Sequence, residues 1–88
     1  DVTVAVVAAE GLFGAVAEAG SITAGAREMH LSLSAASARL QNLEHALGAA
    51  LLVRSKQGVV PTDAGRTLRR HAGRLQRDME ALHAEMSA

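Results

Sequence analysis

Short polar side chains lie at helical spacing in the stretch that follows Ser32. Ser34, Ser37 and Gln41 would share one face of a helix, because residues three and four apart are neighbours on its surface. A hydroxyl can hydrogen-bond to a base edge or a phosphate, and a glutamine amide can pair with the edge of adenine. The pattern predicts a surface that meets a major groove, although an ordinary polar helix face has a similar composition. The predicted face comprises Leu33, Ser34, Ser37, Ala38 and Gln41, with Arg39 and Asn42 at its margins.

Residue types that serve catalysis or metal binding occur without a matching pattern. His30, His45, His71 and His83 show no close ligand spacing, and the chain contains no cysteine, so we expect no metal site. Neither glycine pattern of a phosphate-binding loop occurs, and no motif supplies a serine with a base. We therefore predict that the chain is not an enzyme and carries no cofactor.

Two helices joined by a short turn would position the polar face. A serine precedes each helix, and its oxygen can accept hydrogen bonds from the free amides of the first turn. A glycine follows the second helix, where the left-handed conformation is common. These elements make a helix-turn-helix, whose second helix usually enters the major groove. They are the cap Ser21, a helix from about Ile22 to His30, Leu31 in the turn, the cap Ser32, a helix from about Leu33 to Leu47, and Gly48.

Apolar residues at helical spacing predict the core behind this unit. A first helix, from about Val4 to Ala19, would end at Gly20. Its early residues VTVAVVAA could form a strand on propensity alone, and we favour the helix. The predicted core positions are Val7, Leu12, Phe13 and Val16, with Ala9 as a further candidate, then Ile22, Ala26 and Met29, and finally Ala36, Leu40, Leu43 and Leu47.

Two extended runs after Gly48 predict a hairpin. They span about Leu51 to Ser55 and Val59 to Thr62, and Lys56-Gln57-Gly58 would form the turn. A hairpin after a helix-turn-helix is a wing. Its bases, Arg54 and Lys56, could contact phosphates or a narrow minor groove. The alternative is a surface hairpin with two exposed bases.

The last segment has the pattern of a dimerising helix. Thr62 would cap it, and Asp63 would complement the helix dipole in the first turn. Apolar residues follow in alternating steps of four and three, which is a heptad seam suited to a partner helix. A helix of roughly 40 Å, at about 1.5 Å per residue, is too long to pack fully on so small a body. We therefore predict a homodimer, with residues 1–62 as the DNA-binding domain and 63–88 as the dimerisation helix. The seam comprises Leu68, Ala72, Leu75, Met79, Leu82 and Met86.

Composition and charge narrow the class of protein. The chain has 88 residues, enough for one small domain, and its single aromatic residue argues against base-stacking recognition of single strands or RNA. Net charge is zero, but residues 1–53 carry −3 and residues 54–88 carry +3. The bases between Arg66 and Arg77 therefore either contact DNA locally or form a solvated helix face.

Because the longest apolar run, Val4 to Ala9, is short and no secretion signal is evident, we expect a soluble cytoplasmic protein without membrane contact.

An ordered series of motifs resembles the N-terminal DNA-binding domain of LysR-type transcriptional regulators, the winged helix-turn-helix proteins of bacteria. The matching stretches are FGAVAEAGSITAGAREMHLSLSAAS, LQNLEHALGAALLVRS and GVVPTDAG, which together cover about Leu12 to Gly65. The resemblance implies a mainly α fold of three helices and a two-stranded wing, followed by a long dimerising linker helix. It also implies double-stranded DNA as partner, a following domain that senses a small-molecule effector, and a full-length protein that in this family is often a tetramer.

The family pattern also assigns roles to particular positions. Ser32 and Ser34 would open the recognition helix, and the residue between them often contacts bases. Arg54 stands at the family's wing arginine, and Thr62 would cap the linker helix. Phosphate contacts would come from the wing and the helix N-termini. The full predicted DNA-binding set is Ser21, Thr23, Ser32, Leu33, Ser34, Ala35, Ser37, Ala38, Gln41, Arg54 and Lys56.

Three positions depart from the family pattern. Leu33 replaces a common Gln, and Ala38 replaces a frequent Arg, Gln or His, so direct base contacts are reduced; Leu33, Ala35 and Ala38 could still touch thymine methyl groups. Glu10 stands where a buried Leu is usual, and we expect the first helix to be displaced or partly exposed there. Two alternatives stay open. One is a winged-helix dimerisation module with weak or lost DNA binding, and the other is the similar domain of molybdate-responsive regulators.

Overall fold

The computed structural model describes residues 2–88, which form four helices and a two-stranded antiparallel sheet. Asp1, which the first predicted segment included, lies outside the described residues. The stretch VTVAVVAA is helical, so the strand alternative is wrong. The elements are α1 (Val2–Ala19), α2 (Ile22–Glu28), α3 (Leu33–Leu47), β1 (Leu52–Ser55), β2 (Gly58–Pro61) and α4 (Asp63–Ser87).

Hydroxyl caps begin three of the helices. The side-chain oxygens of Ser21 and Ser32 accept hydrogen bonds of 3.1 Å from the amides of Ala24 and Ala35. Thr62 Oγ1 accepts from the Gly65 amide at 3.0 Å. Each bond satisfies an amide that has no partner within its own helix. All three predicted caps are therefore confirmed.

The turn between α2 and α3 differs from the prediction. Helix α2 ends at Glu28 rather than His30, and the Leu31 amide returns to the Ala26 carbonyl at 2.8 Å. His30 adopts a positive φ of 57°, a left-handed conformation that histidine tolerates better than most residues. Met29, predicted in the core, is 42% exposed, because the chain has already left the helix at this point.

The hydrophobic core forms where α1 crosses the helix-turn-helix. Phe13 and Val16 of α1 are fully buried against residues of α2 and α3, including Ala26, Ala36 and Leu43. Leu47 is only partly buried at the edge of this cluster. The core is completed by Ala9, Leu12, Ile22, Leu40, Leu51, Val59 and Leu68.

Much of the first half of α1 is exposed, although Ala9 belongs to the core. Val7, predicted in the apolar stripe, is 57% exposed, and Val6 packs partly against the core instead. The helix is long and apolar enough to cross a membrane, with a mean hydropathy of 1.7 over 18 residues. However, Phe13 and Val16 belong to the core, so α1 serves as a core helix of the folded domain.

The wing is a short hairpin with a two-residue turn. Ser55 pairs with Gly58 and Leu52 with Pro61, so Lys56 and Gln57 alone form the turn. Gly58, predicted in the turn, instead begins β2 with a φ of 130°. The strands are also slightly displaced from the prediction, because Leu51 packs in the core and Thr62 caps α4.

Helix α4 starts on the core and then leaves it. Leu68 and Ala72 are buried, whereas Leu75 and the later seam residues are between 39% and 78% exposed. The helix accounts for the elongated shape of the chain, which extends 47 Å along its longest axis. The predicted seam residues therefore lie on one continuous helix, and those after Ala72 are largely exposed within residues 2–88. Their role in dimerisation stays a prediction.

A close approach between α1 and α2 generates the first prediction. A Cβ added at Gly25 would lie 2.7 Å from Val16 Cα, which real structures do not tolerate. We expect Gly25→Ala to lower the free energy of unfolding by about 2 kcal/mol, measured by denaturant unfolding. Gly14→Ala is the matched control, since nothing lies within 4 Å of its Cβ. The control should gain about 0.5–1 kcal/mol from helix propensity, and equal stabilities would contradict the packing.

Candidate nucleic-acid interface

The N-terminal part of α3 presents the predicted polar face to solvent. Ser34, Ala38 and Gln41 are exposed, and Leu33 beside them is 52% exposed. Ser37 and Ala35 are half-buried at the two sides of this face. The face therefore offers one amide and two hydroxyl groups together with small apolar groups, at the end of the helix where a cap has already fixed the backbone.

A cleft between α2, α3 and the wing brings several predicted residues together. Its open volume is about 290 Å³. Ser55 also lines it and was not predicted, since a small polar strand residue carries no distinctive signal. The other predicted residues do not line the cleft: they are Lys56 on the wing, the cap Ser32, and Ser34, Ala35, Ala38 and Gln41 of α3. The predicted residues that line it are Ser21, Thr23, Leu33, Ser37 and Arg54.

The cap hydroxyls keep a donor available at this surface. Ser21 Oγ and Ser32 Oγ accept from helix amides, and each hydroxyl retains its own hydrogen for a further bond. A phosphate oxygen is a strong acceptor for such a donor. Capping and phosphate contact are therefore compatible at the same side chain.

Arg54 and Lys56 are exposed cations on the wing. Within residues 2–88, neither forms an ion pair. Arg66, by contrast, pairs with Asp63 and donates to the Pro61 carbonyl, and Arg69 pairs with Glu18 at 3.0 Å. The two wing cations are thus available for an external anion.

Hydrogen bonds hold the wing against α3 and against the turn before α2. Glu44 Oε2 on α3 accepts from the amides of Leu51 at 2.7 Å and Leu52 at 3.4 Å. At the other strand, Thr62 Oγ1 donates to the Ala50 carbonyl at 2.6 Å. The Val59 amide adds a bond of 3.0 Å to the Gly20 carbonyl. This role of Glu44 was not predicted, because the sequence carries no signal for a bond between an acid near a helix end and amides beyond the following loop.

Glu10 marks the departure from the family pattern on α1. Its side chain is half-buried, and burial raises the pKa of its carboxyl group above the ordinary value. The expected partial exposure is present, while the neighbouring Ala9 and Leu12 remain in the core. Among the residues described, no cluster of histidines and acids could hold a metal ion.

Three helices with an exposed capped recognition helix, followed by a wing pinned to it, define a winged helix-turn-helix domain. The sequence profile of the bacterial regulatory helix-turn-helix proteins of the lysR family matches residues 11–66. The chain belongs to this family. The match decides between the LysR-type and molybdate-responsive alternatives in favour of the former.

Similar proteins are regulators with the same domain. The nitrogen assimilation regulatory protein nac of Escherichia coli K12 is 40% identical over 65 residues, which cover 74% of this chain and 21% of that protein. The transcriptional activator AaeR of the same organism is 34% identical over 77 residues, covering 88% of this chain and 25% of that protein. The chain thus spans about a fifth to a quarter of the length of these relatives.

Two similar solved structures are complexes with DNA. The CbnR DNA-binding domain bound to DNA aligns with a TM-score of 0.77 and 35% identity, covering 88% of this chain and 87% of that one. The BenM DNA-binding domain on its benA site 1 DNA gives a TM-score of 0.82 and 28% identity, with coverages of 88% and 90%. The predicted fold class is confirmed.

The hydrogen bond from the wing to Glu44 generates the second prediction. Glu44→Ala leaves the buried Leu51 amide without its acceptor, and we expect a loss of about 2 kcal/mol in the free energy of unfolding. Amide hydrogen exchange at Leu51 should also become faster. Glu28→Ala is the control, because this exposed carboxylate forms no hydrogen bond or ion pair within residues 2–88. Unchanged exchange at Leu51 in the Glu44 variant would refute the anchoring role.

Proposed function

We propose that this chain binds double-stranded DNA in a sequence-specific manner, as the dimeric N-terminal part of a bacterial LysR-type transcriptional regulator. The observation that carries the proposal is the cleft where α2, α3 and the wing converge, since it unites hydroxyl groups with the free cation Arg54. The similarity to the DNA complexes of CbnR and BenM supports it. The domain would therefore act by binding and not by catalysis.

Sequence recognition would come from the exposed face of α3. Ser34, Ser37 and Gln41 supply hydrogen bonds to base edges. Leu33, Ala35 and Ala38 supply apolar contacts, for which the methyl group of thymine is the complementary feature in the major groove. Because few polar groups are available, part of the sequence preference would come from DNA shape.

Phosphate contacts would position the domain on the duplex. Arg54 and Lys56 approach the backbone from the wing, and Ser21, Thr23 and Ser32 from the N-termini of α2 and α3. Such contacts release counterions, so affinity should fall steeply with salt. They act on all sequences alike and therefore set affinity more than specificity.

Dimerisation would occur through α4. The uncovered part of the seam exposes Leu75, Met79, Leu82 and Met86, which a second copy would remove from water. Two recognition helices could then enter major grooves about 34 Å apart, or a multiple of that distance. We assign DNA binding to residues 1–62 and dimerisation to 63–88, while the first turns of α4, including Leu68 and Ala72, also pack on the core.

The remaining functions are proposed for the full-length protein. Because the matched segment covers only 21% of nac, we propose that the full-length protein has a further domain that binds a small-molecule effector, and that the complete regulator can assemble into tetramers. We place this regulator in the cytoplasm, where it meets its DNA.

A second candidate is a winged-helix interaction module with weak or lost DNA binding. The observation that favours it is the exposure of Leu33 and Ala38 at positions facing the groove. Selection of binding sites from a random duplex pool separates the two functions. Paired half-sites at a fixed helical spacing would support the regulator, and no enrichment at low salt by a folded dimer would support the module.

The wing assignment generates the third prediction. Arg54→Ala should weaken binding to every duplex by about tenfold and reduce the slope of log affinity against log salt by about one, because one phosphate would no longer be neutralised. Fluorescence anisotropy at several salt concentrations measures both. Arg27→Ala, an exposed arginine of α2 that does not line the cleft, is the control and should leave both unchanged. An Arg54 variant with wild-type affinity and slope would show that the wing does not contact DNA.

The recognition face generates the fourth prediction. Ser37→Ala should relax the preference at one base position of each half-site, at a cost of about 1–2 kcal/mol for the preferred base. Binding to unrelated duplexes should stay the same, because phosphate contacts are kept. Ser87→Ala, at the far end of α4, is the matched serine control. A uniform reduction in affinity across all sequences would assign Ser37 to the backbone instead.

A further inference from the structure

One flank of the recognition helix carries a cation that lies outside the predicted DNA-binding set. Arg39 belongs to α3, and its side chain is exposed. Within residues 2–88 it forms neither an ion pair nor a side-chain hydrogen bond. Its charge is therefore available to an external anion, as are those of the two wing cations.

Helical geometry places Arg39 on the side of α3 that faces away from the wing. Each residue advances by about 100° around an α-helix, so Arg39 lies about 200° from Ser37. Ser37 lines the cleft together with Arg54, which identifies its flank as the wing side. Glu44 lies on that same flank, seven residues after Ser37, and bonds to the Leu51 amide of the wing segment. Arg39 and Arg54 therefore lie on opposite sides of the recognition face.

The flank of Arg39 is free of negative charge along α3. Its neighbours there are Ala35, four residues before it, and Asn42, three residues after it. The only acid of α3 is Glu44, which is on the wing side. Asn42 is exposed and adds an amide donor beside the guanidinium group. The flank thus presents a cation and a neutral donor.

The dimensions of B-DNA supply a partner for such a flank. The major groove is about 12 Å wide, and an α-helix with its side chains is about 10–12 Å in diameter. A helix seated in the groove therefore has a phosphate backbone along each of its two flanks. These two backbones belong to opposite strands of the duplex.

We infer that Arg39 contacts the phosphate backbone across the major groove from the backbone that the wing meets. Arg39 and Arg54 then hold the recognition helix from both sides, and Asn42 donates to the same backbone as Arg39. This inference rests on the DNA binding proposed above and adds a positioning residue to it. A guanidinium group suits the role, because its donors match the oxygens of a phosphate and its charge is permanent.

The residue before Arg39 explains what the contact replaces. Where the family pattern frequently has a long polar side chain, this chain has Ala38, and the arginine follows one position later. That step turns the side chain by about 100°, away from the base edges and towards the backbone. The recognition helix thereby keeps a cation but uses it for affinity on all sequences, since phosphate contacts carry no direct base information.

The first test removes the charge and keeps a long polar side chain. Arg39→Gln should weaken binding to every duplex by about tenfold and reduce the slope of log affinity against log salt by about one. Arg39→Lys should retain the slope, because either cation neutralises one phosphate. Arg27→Gln, at an exposed arginine of α2, is the matched control and should bind like the wild type. Fluorescence anisotropy is measured on a duplex selected from the random pool and on an unrelated duplex.

The second test identifies the strand. Single phosphates of the selected duplex are replaced, one at a time, by neutral methylphosphonates, and binding of each variant is compared with that of the wild type. A replacement at the phosphate that Arg39 contacts should weaken the wild type but have no further effect on Arg39→Gln. The phosphates found in this way for Arg39→Gln and for Arg54→Ala should lie on opposite strands, across the major groove from each other.

The outcomes separate this contact from DNA binding itself. A wild-type salt slope in Arg39→Gln would refute the contact. A changed preference at one base position with an unchanged slope would assign Arg39 to a base edge and would also refute it. Phosphates for both arginines on one strand would refute the two-sided arrangement. If the folded wild-type chain bound no duplex at low salt, the proposed function would fail, and this inference with it.

Discussion

The close contact between α1 and α2 at Gly25 is the constraint on which the other elements depend. Because Gly25 has no side chain, the backbone of α2 lies directly against Val16. This contact sets the position of α2, the short turn to Leu31 then sets that of α3, and the recognition face follows from both. A bulkier residue at position 25 would displace the helix-turn-helix from the core that contains Phe13. Stability and the position of the recognition face therefore both depend on the contact between Gly25 and Val16.

Zero net charge is compatible with DNA binding because the charges are arranged locally. Several cations of α4 are already paired or directed to solvent, while the wing keeps Arg54 and Lys56 without ion pairs in the part of the chain described. Long-range attraction to DNA is therefore weak, and affinity depends on contacts made after docking. The dimer proposed above would raise the affinity, since two linked sites bind more tightly than either alone.

Local signals made most of the fold predictable from the sequence. Helix caps form between residues only a few positions apart, so the sequence reveals them directly. The predicted caps at Ser21, Ser32 and Thr62 and the glycine after α3 were all confirmed. Exposure was harder to predict, because periodicity shows which residues share a face but not where packing ends. Val7 and Met29 were misassigned for that reason. The bond of Glu44 joins residues seven apart across a loop, which helical spacing does not reveal. Individual contacts to DNA stay predictions.

The anchoring of the wing has a mechanical consequence. Since Glu44 joins α3 to β1 and Thr62 holds the base of the hairpin, hydrogen bonds within the fold restrain the separation between the recognition helix and the wing. A duplex whose groove spacing matches the distance between α3 and the wing would bind without distortion. A duplex with wider or narrower grooves would have to be deformed. Groove width would then contribute to the sequence preference of the proposed DNA contact, even at base pairs that no side chain touches.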